Sequence, residues 1–409
     1  MDPQRVIADL RELDRRTGGS GGARRVCWTS TWTEARDFLR ELLGEMPALA
    51  VRTDAAGNLF AELPGERTDE VVLVGSHLDS VPAGGWLDGA LGVMAAVEVL
   101  RRAAEGATPP RTVALVDWAD EEGARFGRSL LGSSAFAGTL DPGSVHELTD
   151  AHGVPLPDAL AEHGVQLERM AGAGGGERER LAAYLELHIE QGPVLEAEGL
   201  ACGAVLGTMG VERHRVTFEG RSAHAGSTPM DRRRDAGVAA ARTMVELQQI
   251  GERHGGVCTA GRLDLDPGVV TIVPGRAQLL VDQRNLEAET LAQMLEEARE
   301  AWEGAGATEG ATVAAERIWA IEPVPFHPGL VEAASAACAE AGGSARKLAS
   351  GALHDASEMA RLAPTAMVFA ASRGGVSHAA DEDTSEEDLA AALTAFGLLA
   401  RRVIEGGAQ

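Results

Sequence analysis

The chain has 409 residues, 44% of them hydrophobic, a mean hydropathy of -0.08 and a formal net charge of -25. That length accommodates two domains with sizeable cores, and the acidic balance argues against nucleic acid or anionic membranes as partners. No stretch approaches the roughly 20 apolar residues of a membrane span, and the charged N-terminus MDPQRVIADLRELDRR does not resemble a signal peptide. The four cysteines (Cys27, Cys202, Cys258, Cys338) are widely spaced and form no C-x-x-C, so reduced thiols in a cytoplasmic protein are expected.

Residues 1–206 read as helices alternating with buried strands, the pattern of a doubly wound α/β sheet. Val71-Val72-Leu73-Val74 is the first clear strand, and GSHLDSVPAGGWLDGALGV follows it at 75–93. His77 therefore sits just past a strand's C-terminal end, where open α/β sheets bind ligands. With Asp79 and Asp88 on glycine-rich turns, it supplies what a metal site needs: a ligand, an orienting carboxylate and a second ligand from a loop. Thr112-Val113-Ala114-Leu115-Val116 is a second strand and leads into Asp120-Glu121-Glu122-Gly123. Three adjacent carboxylates raise one another's pKa unless a cation neutralises them. Beside His77 and Asp88, Glu122 is a candidate ligand and Glu121 a candidate general base on an attacking water. Alone, the cluster would read as a solvated acidic loop.

The flexible segment AGAGGG at 171–176 precedes a strand-like run from Leu181 to Leu187, which delivers His188 and then Gln191, whose amide can turn toward a ligand. From Gly210 the pattern changes. Val211 to Glu219 alternates as a half-exposed strand, Asp231 to His254 is helical, and Gly268 to Arg284 reads as two strands around Pro274-Gly275. Glu287 to Ala305 is helical and Thr312 to Ile321 is a last strand. This βαββαβ order predicts a small ferredoxin-like α+β sheet with two helices on one face. Within it, His224 lies in the small-residue loop GRSAHAGSTPM, which by itself suits a turn histidine, and Arg284 ends a strand. From Pro328 the helix–strand alternation returns, and the apolar run Ala366 to Ala371 leads to Gly374-Gly375-Val376-Ser377-His378. The expected organisation is a catalytic domain over 1–209 and 326–409 with an inserted domain over 210–325. Any one histidine could be a core or surface residue; with 11 in the chain, one or two strand-end coincidences are expected, but not four.

The order His77, Asp88, Glu121-Glu122, His188, His378, with HIEQGPVLE and GRSAHAGSTPMDRRRDA, resembles the di-metal amidohydrolases of the aminoacylase/carboxypeptidase-type metallopeptidase superfamily. It is most similar to the hydantoinase/carbamoylase branch: N-carbamoyl-L-amino acid hydrolases, allantoate amidohydrolases and β-ureidopropionases. The resemblance runs from about Trp28 to the C-terminal helix. It implies two divalent ions (zinc, manganese, cobalt or nickel), one held by His77 and His188, the other by Glu122 and His378, with Asp88 bridging. Glu121 would be base and acid, and Asp79 would orient His77. His224 would stabilise an oxyanion. Arg284 would clamp a substrate carboxylate, with Gln191, Thr271, Gly351 and His354 lining the substrate site. It also implies that the inserted domain forms a homodimer, across which His224 and Arg284 can serve the neighbouring site.

Three departures bear on substrate. Thr271 stands where the family usually carries asparagine, and a hydroxyl cannot present an amide's donor and acceptor together. Leu87, after Trp86, replaces the aromatic that usually precedes the bridging aspartate. The usual Gly-Ala-Gly-His-Asp reads Gly351-Ala352-Leu353-His354-Asp355. The ligand set is complete, so an active hydrolase of a small amino-acid-like substrate is expected, first an N-carbamoyl-L-amino acid. Allantoate or β-ureidopropionate is the alternative within the branch. His188 in place of a carboxylate ligand weighs against an aminoacylase or dipeptidase, and the intact base and ligands weigh against a non-enzymatic scaffold.

Overall fold

The computed structural model describes residues 1–407 apart from Ser20. Val71 to Val74 form the buried centre of the strand Arg67–His77. Their apolar run is continuous because both faces of the sheet are covered. Arg67–His77 pairs in parallel with Arg111–Trp118 on one side and Leu181–Ile189 on the other, and Thr365–Ala370 continues the parallel set. Outward from these four the pairing turns antiparallel. Leu59–Leu63 and Ala50–Thr53 finish one edge, Cys202–Thr208 and Val324–Pro325 the other, and Lys347–Ser350 also joins Cys202–Thr208. The result is a nine-stranded mixed sheet.

The chain passes from Arg67–His77 to the strand on one side, then crosses to Leu181–Ile189 on the other. This reversal opens a crevice at the C-terminal ends of the strands. Alternate residues of the central strands face two cores. Val72, Val74, Leu115 and Leu187 pack with the helices Pro3–Thr17, Ser30–Gly44, Ala90–Glu105, Pro328–Gly342 and Glu386–Ile404. Leu73, Val116, Trp118 and Phe369 pack with Phe136 and Met359 of the short helices Leu131–Ala137 and Asp355–Met359. Gly92 lets the helix Ala90–Glu105 touch the sheet: a Cβ there would lie 2.5 Å from the Leu187 carbonyl.

The chain divides into two compact units, Met1–Leu206 with Phe326–Gln409, and Gly207–Pro325. The second is a four-stranded antiparallel sheet in the order Thr312–Ile321, Gly210–Glu219, Arg276–Asn285, Val257–Asp266. Val216, Phe218 and Leu279 bury one face against Leu247 of the helix Ala236–His254 and Trp302 of Ala288–Glu309. Two strands flank Pro274-Gly275 as expected, Ile272–Val273 and Arg276–Asn285, but in different sheets. Arg276–Asn285 lies between Gly210–Glu219 and Val257–Asp266, a strand the expected pattern lacked, and Ile272–Val273 forms a two-residue ribbon with Ala223–His224. The helix expected from Asp231 begins at Ala236, where the Asp235 side chain accepts the Gly237 and Val238 amides. Among the described residues no helix is long and apolar enough to cross a membrane.

Candidate metal centre

The parallel strands end on one edge of the sheet, so His77, the Asp120–Glu122 turn and His188 arrive together. The rings of His77 and His188 lie 5.9 Å apart, each residue 1% exposed. Each Nδ1 faces a main-chain carbonyl, His77 that of Asp79 at 3.1 Å and His188 that of Ile189 at 2.9 Å. Nδ1–H is thereby the donor, and the Nε2 lone pairs are left for a ligand. The Gly89 amide also points at His188 Nε2, at 3.3 Å. Gly89 has φ 63°, and a Cβ there would lie 2.4 Å from His77 Cε1, so only glycine fits.

Asp88 sits at the centre. Its Oδ1 is 3.2 Å from His188 Nε2 and 3.8 Å from His77 Nε2, and its Oδ2 is 3.3 Å from His378 Nε2. His378 Nε2 is in turn 3.4 Å from Glu122 Oε2. Two groups therefore share Asp88: His77–Asp88–His188 and Asp88–Glu122–His378, each with its ligand atoms within 4.8 Å of one another. Ligands about 2.1 Å from a tetrahedral cation stand about 3.4 Å apart. The observed spacings cluster around that figure, so the donor set fits a pair of divalent ions. A third group, Glu186–His188–His354, is wholly buried.

Electrostatics agree. Burial pushes the Glu121 carboxyl well up, against the pull of His77, and lifts Glu122 to about 7 with the help of Asp88. Hydrogen bonding to Asp88, with Glu122 nearby, lifts His378 to about 9. Burial opposes the charge of Asp88, but His188 and His378 hold its pKa well below the usual carboxylate range. So many acids in one dry pocket are stable only with added positive charge, whether protons or cations.

The role expected for Asp79 is divided. Its carbonyl orients His77, while its carboxylate lies 3.6 Å from that ring and accepts the Glu121 and Glu122 amides at 3.2 Å each. Glu121 Oε2 stands 3.7 Å from His77 Nε2. Gln191, expected to face substrate, gives its amide to Asp88 Oδ2 and Ser377 Oγ, both at 3.1 Å, and its Oε1 is buried without a partner. His354 differs more from expectation. It is 2% exposed, its ring packs 4.5 Å from that of His188, and its Nε2 meets Ser350 Oγ at 3.0 Å. It packs behind the His188 ring, away from solvent. Gly351 is exposed, and a Cβ there would meet no atom within 4 Å.

His224, Thr271 and Arg284 belong to the second unit. His224 is exposed on the ribbon opposite Ile272, next to Thr271, whose carbonyl accepts the Ala225 amide at 2.8 Å. Its Nδ1 accepts the Gly226 and Ser227 amides at 3.1 and 3.2 Å, so the outward Nε2 carries the proton. Arg284 places Nε and Nη2 on the two Asp282 oxygens at 2.7 and 3.2 Å, and Arg213 shares Asp282 at 2.6 Å. This anchoring acid escaped the sequence reading. So did Glu382, whose buried carboxylate accepts the Asp88 amide at 3.1 Å. It lies four residues after His378 in the acidic run Asp381-Glu382-Asp383, the one signal that could have marked it.

Comparison with known proteins gives a consistent picture. A profile of the peptidase family M20/M25/M40 matches residues 73–402. An N-carbamoyl-L-amino acid amidohydrolase of Geobacillus stearothermophilus is 38% identical over 374 residues, 91% of each chain. An allantoate amidohydrolase of Bacillus subtilis is 35% identical over 389 residues, 94% of this chain and 93% of its own. The crystal structure of a hydantoinase/carbamoylase family amidase from Burkholderia multivorans superposes with a TM-score of 0.89 at 35% identity, covering 98% of both chains.

Proposed function

The chain belongs to the peptidase family M20/M25/M40, and we propose that it is a metal-dependent amidohydrolase that cleaves a linear amide or ureido C–N bond. The observation that carries this reading is the pair of ligand groups meeting at Asp88 beside the buried Glu121. The substrate class we assign is an N-carbamoyl-L-amino acid, supported by the relatives that bear that name.

Two divalent ions held by His77, His188, Asp88, Glu122 and His378 would polarise the scissile carbonyl and acidify a water. Glu121 takes the proton from the attacking water and passes it to the leaving nitrogen. Its Oε2 stands 3.7 Å from His77 Nε2 and outside both groups that share Asp88, which places the carboxylate beside the centre for that exchange. Asp79 holds the Glu121–Glu122 backbone still while this happens. His224 offers an Nε2–H of fixed tautomer to the carbonyl oxygen as charge develops there. Arg284, its plane set by Asp282, binds the substrate carboxylate.

The second unit is proposed as the dimerisation module. Its outer strand Val257–Asp266 is an edge strand exposing Val257 and Leu265, and the neighbouring helix exposes Val245 at 60%. Such surface invites pairing with a second copy. The four free thiols support a reducing, cytoplasmic setting.

The test is a substrate panel on metal-reconstituted protein: N-carbamoyl-L-amino acids, allantoate, β-ureidopropionate, N-acyl amino acids and dipeptides. Carbamoyl amino acids should turn over fastest. Fastest release of ammonia from allantoate would move the assignment to the diureido acid, and fastest cleavage of a dipeptide would overturn the amidohydrolase reading.

A further inference from the structure

Glu382 is 2% exposed and touches three partners on two loops. Its Oε1 accepts the amides of Asp88 and Leu87 at 3.1 and 3.4 Å, and its Oε2 accepts the Ser377 hydroxyl at 3.1 Å. Ser377 Oγ also accepts the Gln191 amide at 3.1 Å, and that same nitrogen reaches Asp88 Oδ2 at 3.1 Å. The contacts close a ring: Asp88 amide, Glu382, Ser377, Gln191 and back to the Asp88 carboxylate. Donors and acceptors alternate consistently around it, since the one hydroxyl donates to the carboxylate and accepts from the amide. Gly85 makes room, because a Cβ there would lie 1.9 Å from Glu382 Oε1. Asp383 adds a parallel tie, accepting Trp86 Nε1 at 3.2 Å and Arg373 Nη1 at 2.5 Å.

The ligands differ in how much they need such support. His77 and His188 are buried at strand ends, whereas the His378 side chain is 50% exposed and its backbone takes φ 55°, an unusual value for a non-glycine residue. Packing holds the first pair. In the second group Glu122 is fixed by the Val81 amide on its carboxylate, at 3.3 Å, and by Asp79 on its own amide, so His378 is the exposed member and sits on the loop that the ring ties to Asp88. We propose that Glu382, acting through Ser377, is a positioning residue that locks the Asp88 loop to the His378 loop and so presets the Asp88–Glu122–His378 group for its cation. The inference rests on the metal-centre reading above.

The experiment titrates metal-stripped protein with zinc, following stoichiometry by equilibrium dialysis and elemental analysis and folding by the thermal midpoint. Wild type should bind two zinc ions per chain. Glu382→Gln should weaken one of the two sites by about ten- to a hundredfold, the usual effect of losing a group that orients a ligand. The other site should hold, and so should the midpoint of the stripped protein. In a His378→Ala background, Glu382→Gln should have no further effect on zinc binding. Ser377→Ala should weaken the same site, which keeps the inference testable if Glu382→Gln does not fold. Equal weakening of both sites, or a fallen midpoint with both sites affected, would make Glu382 merely structural and overturn the proposal. Unchanged affinities in both variants would also overturn it. If wild type binds fewer than two ions, the metal-centre reading itself fails, an outcome separable from failure of the latch alone.

Discussion

Glu121 and Glu122 are adjacent in sequence yet stand in different relations to the centre, and that difference makes a prediction. Glu122 Oε2 lies 3.4 Å from His378 Nε2, inside a ligand group, whereas Glu121 belongs to neither of the groups that share Asp88. Glu121→Gln keeps shape and hydrogen bonding but removes the proton acceptor. Metal content should stay at the wild-type value while turnover falls at least about a hundredfold. Glu122→Gln should lower metal content and activity together. Elemental analysis giving the opposite pattern would exchange the two roles. Thr271 makes a second residue-scale test. Thr271→Asn should raise turnover of carbamoyl amino acids by about ten- to a hundredfold if the missing amide contact to a charged group is what departs from the family. An unchanged profile across the panel would mark the threonine as neutral. The histidines that meet around Asp88 could be picked out because an apolar, strand-like run leading to a glycine-rich turn leaves a local signature. Glu382 accepts the Asp88 and Leu87 amides from far away in sequence, and nothing but the acidic run around it hints at that, whereas Asp282 lies two residues before Arg284 on the same strand, a spacing that places both side chains on one face.

At the scale of elements, the helix Ser30–Gly44 is tied to the strand Arg111–Trp118 by a buried ion pair. Arg36 Nε meets Asp117 Oδ2 at 2.6 Å, with exposures of 4% and 0%, and the guanidinium also donates to the Asp117 and Gly57 carbonyls. The other Asp117 oxygen accepts the Leu78 amide at 2.8 Å, directly after His77. Asp117→Asn would leave the Arg36 charge uncompensated in a dry site. The expected cost is about 3–5 kcal/mol, or roughly 5–8 °C in thermal midpoint; a shift of a degree or two would show that water reaches the pair. The central strands could be read from the sequence because burial on both faces makes them uniformly apolar. Val257–Asp266 could not, since it is a largely exposed edge strand and Gly261 lies where its register with Arg276–Asn285 slips. The strand expected between Gly268 and Pro274 is shortened to Ile272–Val273, because Val269 and Val270 look β-forming yet are 48% and 95% exposed in the turn before it.

For the whole molecule, the division of the chain into two units sets a test of whether the proposed chemistry is shared between copies. The ligand groups and Glu121 lie in the unit built from both ends of the sequence, while His224 and Arg284 lie in Gly207–Pro325. If the second unit forms a two-fold dimer and its residues serve the partner's site, two inactive variants should complement each other. Glu121→Gln lacks the base, and Arg284→Ala lacks the carboxylate clamp. In a mixed dimer one site would combine both defects and the other would carry neither. Random exchange of equal amounts makes half the dimers mixed, each with one intact site, so activity should recover to about a quarter of wild type. Size-exclusion chromatography with differently tagged variants would verify exchange. Activity that stays at the level of the separate variants, with exchange confirmed, would place His224 and Arg284 in the site of their own chain. The outcome also decides what the exposed valines are for: recovery requires a dimer that covers such a surface, and a monomer at assay concentration would leave Val245 and Val270 without that explanation.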